Sequence, residues 1–280
     1  MQQILKINQT GNTIVSDFLR GQWQGSPVNG YRNIGYNHMP KDALRNILLA
    51  EQNNLCCYCM RHIFYTSREN KNCTLEHIIP RAVNDYNTFL RYTNQSDILN
   101  ENVVIQSVFT ASTVMLEIPP APHHIAYHNL VASCDGSIWD NPNQPTRYTA
   151  QFCNGHRGNE FIHPFFYDGH VNENIIYDHT GLVYYTEDDD RQTMINHLNL
   201  NYATLKKVRR VWFFISTSEF NLVQVEAAND QLSRQNILTI SILDSPLQNF
   251  QDDELINTFI TDLFWGILLQ YRWFYGATFQ

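Results

Sequence analysis

The tight run Cys56-Cys57-Tyr58-Cys59, followed downstream by Leu75-Glu76-His77-Ile78-Ile79-Pro80, is the strongest constraint on what this chain can fold into. Two thiols in a C-x-x-C turn can hold one side of a tetrahedral ion. The acidic residue, histidine and proline that follow can hold a second, catalytic ion beside a general base. Two later segments complete the set: His128-Asn129-Leu130-Val131-Ala132-Ser133-Cys134 and Cys153-Asn154-Gly155-His156-Arg157-Gly158.

Cys134 and Cys153 are the natural second pair for Cys56 and Cys59. The long chain between them is a small obstacle, because loop-closure entropy grows slowly with length. Four thiolates around Zn²⁺ make a closed, structural site. Cys57 competes with Cys56 as a ligand in this reading, His156 is an alternative to Cys153, and Cys73 is left over. The rival readings are ordinary buried cysteines and a redox pair, the latter without the βαβ pattern it needs. No basic segment leads into an apolar run at the N-terminus, so the expectation is a cytoplasmic chain whose six cysteines serve metal or remain free thiols. The stretch 256–279 is apolar but interrupted by Asp262, Gln270 and Arg272, which argues for a buried helix and against a membrane span.

The chain of 280 residues is 43% hydrophobic and 16% charged, which suits a folded α+β protein and excludes wholesale disorder. Residues 1–40, punctuated by Gly21, Gly25, Pro27, Gly30 and Gly35, suggest an irregular arm. Residues 41–165 hold every motif, with an insertion near 94–124. A helix starts at Lys41 after Pro40, with Leu44, Ile47, Leu48 and Leu55 at helical spacing. A strand is expected over Leu75–Ile79, a helix over Arg81–Tyr92 with Val83, Tyr86, Phe89 and Leu90 as its buried stripe, and a second strand over Leu130–Ala132. Residues 137–146 are expected as an exposed loop. Residues 166–280 are expected as a hairpin, over 174–177 and 182–185, plus a mostly helical module. Its helices run over Met194–Thr217 and Asp253–Tyr275, and its aromatic C-terminus packs a core or a partner interface.

Phosphodiester hydrolysis needs an activated water, a cation at the phosphate and stabilisation of the departing oxygen. His77 can take the proton from water near neutral pH. Glu76 supplies a hard oxygen ligand for Mg²⁺ or Mn²⁺. Neighbours on a strand face opposite ways, so joint use of Glu76 and His77 requires a strand end or bend at His77. Asn129 can hold the imidazole through its carbonyl oxygen and so fix the working tautomer, and Asn154 can give the ion a second oxygen.

The order C-x-Y-C, L-E-H-x-x-P, H-N-L-V-x-S-C and C-N-x-x-R-G resembles the HNH branch of the ββα-metal (His-Me finger) nucleases. The resemblance implies a zinc-stapled ββα-metal module with His77 as general base, Asn129 as its orienting residue, and Glu76 and Asn154 as ligands of the catalytic ion. The triad is then H-N-N in place of H-N-H. Arg157 stands where a basic residue usually follows, a phosphate contact or a surface salt bridge. A narrower likeness, carried by the hairpin, Leu198-Asn199-Leu200-Asn201 and a helix with Lys206 and Arg210, is to PtuB-type HNH proteins of the Septu antiphage systems. It implies an SMC/ABC-like ATPase partner of PtuA type.

The net charge of −8 opposes unaided tracking along DNA. Basic residues gather locally at Arg61, Arg68, Lys71 and Arg81, and again at Lys206, Lys207, Arg209 and Arg210, whereas acids cluster over 187–190. The leading expectation is a metal-dependent DNA endonuclease. The alternatives are a zinc-stabilised adaptor with an inactive site and a nuclease acting on RNA or tRNA.

Overall fold

The computed structural model describes residues 1–23, 34–63, 73–109, 119–137, 151–186, 189–245 and 253–279. Helix α1 (Asn8–Gln22) occupies much of the stretch expected as an irregular arm. Gly11, Val15, Phe18 and Leu19 share one face and are buried. Two glycines and several Asn and Thr residues depress helix propensity here, and packing overrides it. A Cβ on Gly11 would lie 2.5 Å from the Tyr127 ring, so glycine lets the helix approach that ring. Residues 24–33 lie outside the described residues.

Helix α2 (Lys41–Glu51) buries Leu44, Leu48 and Leu49, with Pro40 at its N-cap, one position before the expected start. It hands the chain to the cysteine turn, which a bridge between Leu55 and His62 closes. Strand β1 (Cys73–His77) then enters the pair that frames the site. Helix α3 (Tyr86–Thr93) starts at Tyr86, not Arg81, because the Asp85 side chain caps it by accepting from the Thr88 N–H. That shift leaves Tyr86 exposed and Val83 outside the helix, while Phe89 is buried.

The expected insertion near 94–124 carries structure of its own. Helix α4 (Asp97–Asn102) leads into strand β2 (Val103–Val104), which pairs parallel with strand β3 (Ala121–Pro122). Strand β4 (Leu130–Cys134) runs antiparallel to β1, with Cys73 opposite Cys134 and His77 opposite Leu130. The buried Gln52 amide clamps β4 to the cysteine turn, donating to the carbonyls of Ala132 and Leu55 and accepting from the Ala132 N–H. Gly136, at φ +77°, lies where a Cβ would meet the Phe152 carbonyl at 1.9 Å. Only glycine fits there, and the contact brings Cys153 back beside Cys134. The expected exposed loop, from 138 onward to 146, lies outside the described residues.

A short helix α5 (Asn154–Arg157) follows Cys153. Strands β5 (Ile175–Tyr177) and β6 (Val183–Tyr185) form the expected hairpin. The long helix expected over Met194–Thr217 is two, α6 (Asp189–His197) and α7 (Ala203–Ser216), broken where Asn199 takes a left-handed φ of 48°. Residues 187 and 188 of the acidic run lie outside the described residues. Helices α8 (Leu222–Ala227) and α9 (Gln231–Leu243) come next. The last expected helix divides into α10 (Asp253–Phe259) and α11 (Asp262–Gln270), because Thr261 caps a new start.

Phe259, Trp265, Tyr271 and Phe274 are buried in the chain's own core. The Trp212 indole N–H donates to the Leu268 carbonyl at 3.0 Å, locking α7 to α11. These aromatics of the C-terminus are therefore taken up in the chain's own core. Buried apolar residues from the N-terminal, motif-bearing and C-terminal stretches belong to one continuous core. Among the described residues, no helix is long and apolar enough to cross a membrane.

Candidate metal centre and adjoining pocket

Cys56, Cys59, Cys134 and Cys153 are buried, and their sulfurs all lie within 4.8 Å of one another. Cys59 Sγ is 3.6 Å from Cys134 Sγ, and Cys56 Sγ is 3.9 Å from Cys153 Sγ. A tetrahedron with Zn–S bonds of about 2.3 Å has S···S edges of about 3.8 Å. The sulfurs are thus too far apart for disulfides and correctly spaced to surround an ion. This is the one such donor cluster among the described residues. Against the burial that pushes it up, hydrogen bonds from neighbouring thiols pull Cys56 well below the usual thiol range. The Cys134 N–H points at Cys56 Sγ at 3.3 Å, and the Tyr271 hydroxyl sits 3.8 Å from Cys59 Sγ.

The two alternative ligands stand outside the cluster. Cys57 is buried beside it, and His156 is exposed with Nδ1 2.8 Å from the His197 carbonyl. Cys73 is a buried free thiol at the start of β1.

Along β1 lies an open pocket of about 670 Å³, lined by Tyr36, Arg45, Glu76, His77, Arg81, Asn154 and Arg157 among others. Both Glu76 and His77 reach it because β1 ends at His77 and the chain bends at Ile78 and Ile79. His77 is 7% exposed, and its Nε2 lies 3.0 Å from the His124 carbonyl. A carbonyl only accepts, so Nε2 carries the proton and Nδ1 keeps its lone pair. Burial, aided by the nearby Arg81 and Arg157 charges, lowers the His77 pKa to about 3, and the ring is neutral.

Glu76 is buried and pairs with the Arg157 guanidinium at 3.0 Å. Burial raises its pKa to about 7 against the pull of Arg157 and a hydrogen bond from Asn154. Arg157 also donates to the carbonyls of Ile78 and Glu160. It is 4% exposed, so its ion pair is a buried one and not a surface salt bridge. Its charge is held inside to keep the carboxylate in place.

Asn129 does not touch the imidazole. Its Oδ1 accepts from the Ile79 N–H at 2.7 Å, and its Nδ2 donates to the Ile79 and His123 carbonyls at 2.9 and 2.7 Å. With no exposed surface, it orients His77 at one remove, fixing the bend after β1 and the turn that presents the His124 carbonyl.

Sequence reasoning did not find Tyr36, Arg45, Gln52 or the His124 carbonyl. Tyr36 packs its edge on His77 with ring centroids 4.6 Å apart. It belongs to a short turn (Tyr36–His38) far from any motif, and a main-chain carbonyl has no signature in sequence. Arg61, expected near the pocket, is buried and donates instead to Gln270 and the Ser137 carbonyl. Arg68 and Lys71 lie outside the described residues. Of the second basic run, Lys207 pairs with Glu254 at the surface, and Arg209 is buried on the carbonyls of Leu205 and Leu200.

No protein-family model matches this chain, and no curated protein matches it.

Proposed function

We propose that the chain is a metal-dependent endonuclease of HNH (ββα-metal) design that hydrolyses DNA phosphodiester bonds. The observation carrying this reading is that Glu76, His77 and Asn154 converge on one open pocket lined from β1 and α5, in a chain whose four buried cysteines cluster where β4 pairs with β1. The four cysteines are suited to a structural Zn²⁺, the ion that takes a tetrahedral all-thiolate set.

His77 is the general base. Its Nε2 proton is committed to the His124 carbonyl, which leaves Nδ1 to accept a proton from the attacking water. The donor set beside it, one carboxylate and one side-chain amide, suits a hard divalent ion such as Mg²⁺ or Mn²⁺. Glu76 and Asn154 would hold that ion, which supplies charge neutralisation at the phosphate and the leaving oxygen. Arg157 holds the Glu76 carboxylate in position, and Asn129 holds the turn that orients His77.

The resemblance to PtuB-type proteins supports an effector role in antiphage defence beside an SMC/ABC-like ATPase. The net charge of −8 fits a nuclease that relies on a partner to hold it on DNA. Supercoiled plasmid incubated in Mg²⁺ or Mn²⁺, with and without a reconstituted ATPase partner, tests the reading against the His77→Ala variant. Nicking or linearisation that vanishes in the variant and in chelator is the expected result. Cleavage of RNA alone would move the substrate class. Absence of cleavage under every condition would leave a zinc-built adaptor.

A further inference from the structure

We infer that the mouth of this pocket is a phosphate-binding rim, made by Lys41, Arg45 and Arg81 around the ring of Tyr36, that seats a polynucleotide backbone over His77. The inference deepens the hydrolytic reading of the same pocket and rests on it for its orientation. Lys41 Nζ lies 4.4 Å from the Tyr36 ring centroid, and the Arg81 guanidinium carbon lies 4.7 Å from it. The same ring packs edge-on against His77 at 4.6 Å. One aromatic side chain therefore ties two cations directly to the general base.

The charge balance favours an anion. Glu76 is the only carboxylate among the described residues lining the pocket, and Arg157 pairs with it. Arg45 and Arg81 also line the pocket, in a chain whose overall charge is −8. Arg45 pairs with Asp42 at 2.8 Å, but that carboxylate is three-quarters exposed. A solvent-screened pair of this kind is weak and yields readily to a phosphate. Arg81 is exposed, and Lys41, Arg45 and Tyr36 are half-buried, so the cations sit at the opening and not beneath it. Such contacts position a backbone and carry no base sequence, so the rim takes polynucleotides without sequence preference.

The test is fluorescence anisotropy of short labelled DNA and RNA oligonucleotides, titrated across potassium chloride concentrations. The full-length chain carrying His77→Ala is the parent, so that cleavage does not interfere. Arg45→Ala and Arg81→Ala are added singly and together, with Arg81→Lys as the conservative variant and Lys207→Ala as the remote control. Unchanged thermal melting establishes that each variant is folded. The rim predicts about tenfold weaker binding in the double variant, a salt slope shallower by about one per arginine removed, and near-parental binding in Arg81→Lys and Lys207→Ala. Whether DNA or RNA shows this dependence identifies the polymer. Parental affinity and slope in the double variant, an equal loss in Lys207→Ala, or no binding by the parent would overturn the rim. Plasmid cleavage undiminished by the double substitution in the wild-type background would remove the rim and leave the hydrolytic reading intact. Rim-dependent binding by a wild-type chain that cleaves nothing would do the reverse.

Discussion

Asn129 grips both polar atoms of Ile79, accepting from its N–H at 2.7 Å and donating to its carbonyl at 2.9 Å. The remaining amide hydrogen goes to the His123 carbonyl, so one fully buried side chain joins the bend after β1 to the turn that orients His77. Asn129→Ala strands three buried main-chain groups and should cost about 2–4 kcal/mol. Asn129→Asp keeps the acceptor but sets a buried carboxyl group against two carbonyl oxygens and should cost at least as much. Urea unfolding measures both, and a stability equal to wild type in Asn129→Ala would contradict the clamp.

The expectation for Asn129 shows where sequence runs out. Its position in the motif was legible, because an Asn beside a strand that leads to Cys134 is a local signal. Its partner was not, because that depends on the path of Ile78 and Ile79, fifty residues away in sequence. The four cysteines, the β1–β4 pair and the hairpin were legible for the same local reason. Helix α1 was obscured because Gly11 serves the Tyr127 ring, and propensity counts that glycine as a helix breaker. Arg157 was misplaced because a charged residue is exposed by default, and only tertiary structure supplies a buried Glu76.

The sulfur geometry separates ligands from bystanders. Cys59→Ser should abolish zinc binding and lower the melting temperature by on the order of 10 °C, since an ion held by four buried thiolates would contribute folding energy. Cys57→Ala should keep about one zinc per chain, because its thiol is outside the tetrahedron. Elemental analysis of the purified variants decides it. Equal zinc loss in both would mean that Cys57 is a ligand.

Gly11→Ala opposes two effects of known size. Alanine favours the helix by about 1 kcal/mol, but its Cβ would lie 2.5 Å from the Tyr127 ring. Overpacking of this kind costs about 1–3 kcal/mol, so net destabilisation is expected. Combining it with Tyr127→Leu should cost less than the sum of the two single changes. A stabilised Gly11→Ala variant would show that α1 can shift off the ring.

Arg157→Leu leaves the Glu76 carboxylate buried without its cation and should cost about 3–5 kcal/mol. Glu76→Gln keeps an acceptor for Arg157 and should cost about half as much. The ordering of their chemical-denaturation midpoints is the check. A reversed order would place the stabilising role of Arg157 in its carbonyl bonds to Ile78 and Glu160, not in the ion pair.

Acid should destabilise the fold through buried histidines that are not themselves proposed metal ligands. Burial lowers the His123 and His128 pKa values to about 4, with the His124 and Lys6 charges acting in the same direction. The unfolded chain titrates near 6.5, so between about pH 6.5 and 4 the unfolded state binds more protons than the folded one. Unfolding free energy therefore falls as pH drops through that window, by at most on the order of 3 kcal/mol per histidine, and is unaffected by these two above it. A metal held by the four cysteines would add its own acid sensitivity, because thiolates must stay deprotonated. The double variant His123→Gln, His128→Gln separates the two causes. Urea midpoints of wild type should fall more steeply from pH 7.5 to 5 than those of the double variant at equal zinc content. Parallel lines would assign the whole acid response to the cysteine cluster.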